Sequence, residues 1–291
     1  MTIAVTGATG QLGRRVVAAL LAQGVPADGI VAAVRDPARA AEFAEHGVQV
    51  RQADYDRPET LATAFADVRR LLLISANDPS RRMTQHLHVV SAAVDHAVEL
   101  FAYTSALHAQ RNPMLIAADH RATELLIAES GLRHVVLRNG WYTENYTQNL
   151  AEVTSSGVLP GCARDGEIAA APRADYAAAA AAVLTDPPAD DTIYELGGDE
   201  PFTMAQLADE IGRQAGSQVV YQDLPVREYV ATLAGQGMPE PQAMLIADSD
   251  LNVARGYLTT DSGDLRRLLG RPTTPLAEVL AAAQMVQGQG E

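Results

Sequence analysis

A chain of 291 residues with 47% hydrophobic content has the material for one large domain or two modest ones, and is too apolar to be disordered. Its 22 basic residues, every one an arginine, stand against 36 acids, and the net charge of -14 repels nucleic-acid phosphates and anionic lipid. The longest apolar run, residues 177–184, is too short for a membrane span, the single cysteine Cys162 excludes an intramolecular disulfide, and without a charged leader ahead of Thr2 the expected location is cytoplasmic.

Short β-branched runs alternate with helical periodicity through the first half, the pattern of a parallel sheet covered by helices on both faces. Strands are predicted over residues 3–6, 30–34, 48–51, 71–75, 100–103 and 134–137, and helices over 14–23, 60–66, 86–97 and 121–129. Each helix has the length that a right-handed crossover requires. Six such repeats make a doubly wound α/β sheet of Rossmann type. After Gly140 the aromatic and amide-rich stretch WYTENYTQN leads into Gly and Pro punctuation through Gly166, which marks a lobe boundary. A dinucleotide-binding domain is therefore expected over 1–140, with an alanine-rich helix and the strand in DDTIYELGG returning to it near 173–198. The rest of 141–291 is expected to form a smaller, mixed substrate-binding lobe. There, Thr203 and Gln206 make a capping box, Phe202 is placed to staple Leu207, and Thr274 reads as a cap with Pro275 at the first helical position.

The first strand runs directly into GATGQLG, with Gly7, Gly10 and Gly13 spaced by three. A glycine-rich turn between strand and helix brings backbone N–H groups and the helix dipole close to a pyrophosphate. Gly7 permits the turn, Gly10 the close approach, and Gly13 the packing of helix on sheet. A glycine triplet alone is an ordinary tight turn; the strand before it, the helix after it and the further βα units give it the nucleotide reading. Twenty-two residues beyond Gly13 the second strand ends in VRDP, where an acid reads the ribose of NAD or an arginine the 2'-phosphate of NADP. Asp36 precedes Pro37 and a helical run, so its role is a helix cap. Arg35 is left to fork onto a phosphate, which points to NADP.

Ligands of such a sheet sit at the carboxyl ends of its strands. The residues there are Ser75, Ala76 and Asn77, then Tyr103, Thr104 and Ser105, then those from Asn139 through Asn145. Many short-chain dehydrogenases pair a tyrosine with a lysine four residues later, and with no lysine that pair cannot form. Schiff-base and pyridoxal chemistry are removed for the same reason. The candidates for chemistry are neutral and polar: Tyr103, His120, Tyr142 and Asn145, with Trp141 and Tyr146 as flat apolar surfaces. Such a set suits hydride transfer to an acceptor that needs little acid catalysis, with the Asn145 amide as the donor to the acceptor oxygen. Trp141 and Tyr142 are equally readable as core, and His120 as a residue at a helix start. His86 and His88 diverge on their helix, and no metal site is expected.

The segments GATGQLG, VRDP, RQADYD, LLLISA, AYTSALHA, LRNGWYTENY, RADYAAAAAAVL, YELGGDEPFTMAQLA and GRPTTPLAEVL cover almost the whole chain. Together they resemble the NmrA-like atypical short-chain dehydrogenases, and among these the NAD(P)H:quinone oxidoreductase type 2 group. LRNGWYTENY is the most specific of the motifs. The resemblance implies NADPH-dependent two-electron reduction of a small-molecule quinone without flavin, the quinone lying between the two lobes. Carried over by position, the cofactor would meet Thr6, Gly7, Thr9, Gly10, Gln11, Leu12 and Gly13 of the loop, and Arg35 and Asp54 beyond it. It would also meet Ser75, Ala76 and Asn77, then Asn139, Gly140, Trp141, Tyr142, Thr143 and Glu144. Asn145 and its aromatic neighbours would face the quinone. Where the wider family has lysine and glutamate four apart, this chain has His120 and Glu124, which favours a readily reduced quinone over an unactivated ketone. Some NmrA-like proteins instead bind dinucleotide as redox sensors without turnover, and the missing tyrosine–lysine pair fits that alternative too. A nucleotide-sugar epimerase or dehydratase is disfavoured by the missing lysine. A homo-oligomer is compatible with the sequence.

Overall fold

Runs such as IAVT and IVAAV have no polar face, and a strand built from them must be covered on both sides. The structure, a computed structural model, describes residues 1–288. The first six strands are β1 (Ile3–Thr6), β2 (Ile30–Val34), β3 (Gln49–Gln52), β4 (Arg70–Leu73), β5 (Leu100–Ala106) and β6 (His134–Asn139). Two short strands, β7 (Val158–Gly161) and β8 (Glu167–Ile168), lie outside the main sheet, and β9 (Thr192–Leu196) returns to it. The order is β3-β2-β1-β4-β5-β6-β9, with every pair parallel. This is the doubly wound sheet that the sequence predicts.

Helices α1 (Gln11–Ala22), α2 (Ala41–Glu45), α3 (Pro58–Ala64), α4 (Arg82–Asp95) and α5 (Leu115–Glu129) connect the strands, followed by α6 (Leu150–Ser156) and α7 (Arg173–Thr185). One core layer joins α1 and α7 to the sheet through Val16, Leu20, Ala180 and Leu184. The other joins α3, α4 and α5 through Leu61, Val89 and Ile127. Ala177, Ala179, Ala180 and Ala181 of α7 are buried, and their small side chains let α7 lie close against α1, where larger ones would hold it off.

The second lobe holds β10 (Phe202–Thr203), antiparallel to β8, and β11 (Val220–Asp223), parallel to β7. Its helices are α8 (Met204–Ala215), α9 (Val226–Gly235) and α10 (Glu240–Val253), followed in the chain by α11 (Asp264–Leu269) and α12 (Leu276–Gly288). The capping box of Thr203 and Gln206 is present at α8, and Phe202 and Leu207 share one core cluster.

Several expected boundaries move, each for a local reason. α5 starts at Leu115 rather than residue 121, because Asn112 Oδ1 accepts from Met114 N–H and Asp248 Oδ2 from Leu115 N–H at its exposed start. β4 ends at Leu73, before Ser75, since the chain there leaves the sheet for side-chain partners. The hydroxyl of Thr274 donates to Asp175 Oδ1 at 3.2 Å, so this residue ties the chain to α7 where a helix cap was expected. Leu265 of α11 packs into the main-sheet core, so this segment also returns to the first domain, which the expected division of 141–291 had missed.

Candidate active site

A single cleft of about 870 Å³ follows the carboxyl ends of β1, β2, β4, β5 and β6 and continues to the second lobe. Its floor at one end is the glycine loop. Gly7 has φ of +58°, a left-handed conformation that glycine adopts without steric cost, and Gly10 N–H closes onto Gly7 O at 2.9 Å. A Cβ on Gly13 would lie 2.3 Å from Gly7 O and 2.7 Å from Ala8 Cα. Gly13 therefore packs on the turn itself, whereas the sequence reading had it packing on the sheet.

Beyond the loop, Asp36 accepts from Ala38 N–H at 3.1 Å and caps the turn Pro37–Ala40. The acid is occupied as a cap, and Arg35 reaches the cleft wall. Arg39 reaches it too, because the capped turn brings a residue four positions on back to the same side. The sequence reading missed Arg39, although the cap it identified was the signal.

Asp54, Ser75, Ala76 and Asn77 line the middle of the cleft. The Ala76 peptide is held at both ends: its N–H donates to His86 Nε2 at 3.0 Å, and its carbonyl accepts from Arg82 Nε at 2.8 Å. With Nε2 accepting, the proton of neutral His86 sits on Nδ1, 2.8 Å from Thr123 Oγ1. Periodicity could show only that His86 faces inward, and nothing in it named the partner.

At the far end the wall is Asn139, Gly140, Trp141, Tyr142, Asn145 and Arg173, opposite Met114, Ile116 and Leu258. His120 lines the cleft with its Nδ1 2.7 Å from the Tyr103 hydroxyl. Burial, with the charge of Arg82 nearby, pulls His120 down to about 3, so the ring is neutral at ordinary pH. Burial pushes the Tyr103 and Tyr142 phenols up, so neither ionises there. Glu124 is buried against Arg138, which donates to both its oxygens at 2.9 and 2.6 Å, and Ser105 donates to Oε1 at 2.6 Å. No carboxyl of this end is left to act as an acid. Asn139 Oδ1 is buried in the wall without a hydrogen-bond partner, while Asn139 Nδ2 donates to the Tyr142 hydroxyl at 3.4 Å. An acceptor orphaned in this way costs free energy until a donor arrives, and a carboxamide or ribose hydroxyl is such a donor.

Five predicted residues lie outside the cleft wall. Thr6 is buried and stitches β1 to β4, donating to Leu72 O at 3.0 Å and accepting from Ile74 N–H at 3.1 Å. Tyr103 sits behind His120, fully buried. Thr143 is buried, its backbone N–H spent on Ala171 O at 3.1 Å. Glu144 turns away to accept from the Arg173 backbone N–H at 3.0 and 3.1 Å, placing its negative charge at the start of α7. Tyr146 packs edge-on to Phe202 with ring centroids 6.0 Å apart, in the second-lobe core.

His86 is pulled down to about 3 by burial, next to His120 and Arg82, and so behaves like His120. On unfolding, both rings regain a value near 6.5, so between pH 6.5 and 3 the unfolded state binds more protons and stability falls as pH falls. Asp250, pushed up to about 6 by burial, and His108, raised by its contact with Glu195, work the other way, while Glu195, held down to about 2, adds to the loss as the unfolded carboxyl takes up its proton. The thermal midpoint at pH 5 is expected to lie below that at pH 7. An equal or higher midpoint at pH 5 would contradict the burial of two neutral rings.

Among the described residues no group of three or more His, Cys, Asp or Glu side chains has the geometry of a metal site, and no helix is long and apolar enough to cross a membrane.

Residues 7–187 match the NAD(P)H-binding family. The chain is 46% identical over 276 residues to quinone oxidoreductase 2 of Escherichia coli strain K12, covering 95% of this chain and 96% of that protein. It is 31% identical over 287 residues to an NmrA-like family domain-containing oxidoreductase of Aspergillus flavus, covering 94% of this chain and 92% of the relative. Its fold superposes on the crystal structure of an E. coli NADPH-dependent quinone oxidoreductase complexed with NADPH at a TM-score of 0.94, with 46% identity over 97% of this chain and 99% of the other.

Proposed function

The chain belongs to the NAD(P)H-binding, NmrA-like oxidoreductase family, and from that premise we propose that it reduces quinones by two electrons at the expense of NADPH, without flavin or metal. The observation that carries the reading is the continuous cleft, which joins a glycine loop suited to a pyrophosphate to an apolar wall suited to a flat ring, with neutral polar groups, arginines and the carboxylates of Asp54, Asp56 and Asp78 along its lining. Residues 1–140 with 173–198 would hold the dinucleotide, and the acceptor would enter from the second lobe.

The residues present fit NADPH. The loop from Gly7 to Gly13 offers backbone N–H groups at the start of α1, Arg35 and Arg39 offer guanidinium forks at the second strand, and Asn139 offers an unpaired acceptor deep in the wall. When bound, NADPH supplies the hydride. Trp141, Met114, Ile116 and Leu258 exclude water around the acceptor and favour a flat apolar ring. Asn145 donates to the acceptor oxygen as negative charge develops on it. His120 is neutral and Glu124 is paired, so the final proton comes from water.

The experiment is NADPH consumption with and without a panel of small quinones. Turnover in a colourless, chelator-insensitive preparation supports the reading. Tight NADPH binding without turnover would favour the redox sensor, and a flavin spectrum would refute direct transfer.

Preference for NADPH over NADH is expected, since charge-assisted hydrogen bonds to the 2'-phosphate contribute about 1.5 to 3 kcal/mol each. That is roughly ten- to a hundredfold in affinity. Arg35→Ala should lose most of the discrimination while still binding NADH. Equal affinities of the unsubstituted protein for the two cofactors would sink the assignment of Arg35.

A further inference from the structure

We infer that Arg173 is a positioning residue that sets the orientation of the Asn145 side-chain amide, so that its NH2 end and not its carbonyl faces the acceptor. The inference rests on the reading of Asn145 as the acceptor's hydrogen-bond donor.

An asparagine amide has two ends of nearly the same size and opposite hydrogen-bonding sense. Asn145 is exposed at the cleft, in the turn Thr143–Tyr146, and an unheld side chain there would present either end. A carbonyl turned toward a quinone oxygen would oppose the charge that hydride transfer creates. The guanidinium of Arg173 removes the choice: Nη2 lies 3.0 Å from Asn145 Oδ1, and a guanidinium only donates, so the oxygen end is the one that is held. A cation on Oδ1 also draws electron density from the amide and makes the free N–H a better donor.

Arg173 is itself held on every side. It is the first residue of α7 and only 9% exposed. Its guanidinium carbon lies 4.3 Å from the centroid of the Tyr142 ring, its backbone N–H donates to both Glu144 oxygens, and Nη1 faces the same carboxylate at 3.5 Å. Nη1 makes no hydrogen bond there, although it is buried. A buried arginine with one nitrogen unsatisfied is poorly explained by stability alone, because an apolar side chain of the same volume would avoid that cost. Its well-formed contact toward the cleft is the one to Asn145.

The test is single-turnover NADPH oxidation with saturating quinone, paired with NADPH titration, on Arg173→Met, Asn145→Ala and the double variant. Arg173→Met is expected to slow hydride transfer about 10- to 100-fold, the range for losing a hydrogen bond to a charged group, with NADPH affinity unchanged. In the Asn145→Ala background the same substitution is expected to have no further effect, since the two residues act as one unit. Full additivity of the two substitutions, or a loss confined to NADPH affinity, would overturn the inference. Asn145→Ala without effect would remove the Asn145 reading itself, and the role of Arg173 with it. Should Arg173→Met fail to fold, Asn145→Asp decides in the otherwise intact chain. Arg173 would hold one carboxylate oxygen and leave the other toward the acceptor, so Asn145→Asp is expected to be slower than Asn145→Ala. Equal or faster turnover overturns the inference.

Discussion

Gly13→Ala is expected to bind NADPH more than about 100-fold more weakly than the unsubstituted chain while keeping the fold. The added Cβ would stand 2.3 Å from Gly7 O and 2.7 Å from Ala8 Cα, and both neighbours are backbone, so no side chain can swing aside. The loop must open instead. Gly7 is at φ +58° and its carbonyl accepts from Gly10 N–H at 2.9 Å, so moving that carbonyl disturbs the whole turn. Backbone donors at the start of α1 would then miss the pyrophosphate. Two charge-assisted hydrogen bonds of about 1.5 to 3 kcal/mol each account for a hundredfold loss or more. Overpacking of this kind costs roughly 1 to 3 kcal/mol of stability, which a sheet covered by two full core layers can absorb. The measurements are a thermal melt and an NADPH titration. Wild-type affinity in a folded Gly13→Ala protein would show that the loop does not carry the phosphate.

The sheet was legible because its information is local. Ile3–Thr6 and Ile30–Val34 are apolar on both faces, and a glycine turn separates the first from its helix, so these strand bounds could be read directly. The start of α5 was not: Asn112 supplies one acceptor from nearby, but the other, Asp248, lies 133 positions away in α10. The same division runs through the site. Asp36 could be assigned to capping because its partner is two residues on, and that freed Arg35 for the cleft. The resemblance puts Glu144 on the cofactor, yet its partner is the backbone of Arg173. Tyr146, expected as an aromatic neighbour of Asn145 to face the quinone, packs instead against the second-lobe core. Arg173 lies in a segment whose visible signal was alanine, and only the return of α7 to the sheet brings its guanidinium to the cleft.

Asn145→Ala is expected to lower the rate of hydride transfer by about one to three orders of magnitude, the range seen when one preorganised donor to a developing oxyanion is removed. As the hydride reaches a quinone carbon, charge moves onto the carbonyl oxygen, and the far end of the cleft has few groups to meet it. His120 is neutral and bonded to Tyr103, Glu124 is paired with Arg138, and the phenols of Tyr103 and Tyr142 are held protonated by burial. Asn145 alone among the predicted donors is exposed to the cleft with its oxygen already engaged, which leaves its NH2 for the acceptor. Trp141 beside it supplies a flat wall, and Tyr142 is fixed by the Tyr176 ring at 5.3 Å and the Arg173 guanidinium, so the ring of the acceptor meets a rigid surface. The NADPH affinity of Asn145→Ala should stay near the wild-type value, because the glycine loop and Arg35 lie at the other end of the cleft. His120→Ala should cost less, since a quinone anion takes its proton from water. Single-turnover NADPH oxidation with saturating quinone, alongside an NADPH titration for each variant, separates these effects. If Asn145→Ala turns over like wild type, or fails only because NADPH no longer binds, then Asn145 is structural and the acceptor oxygen is stabilised elsewhere.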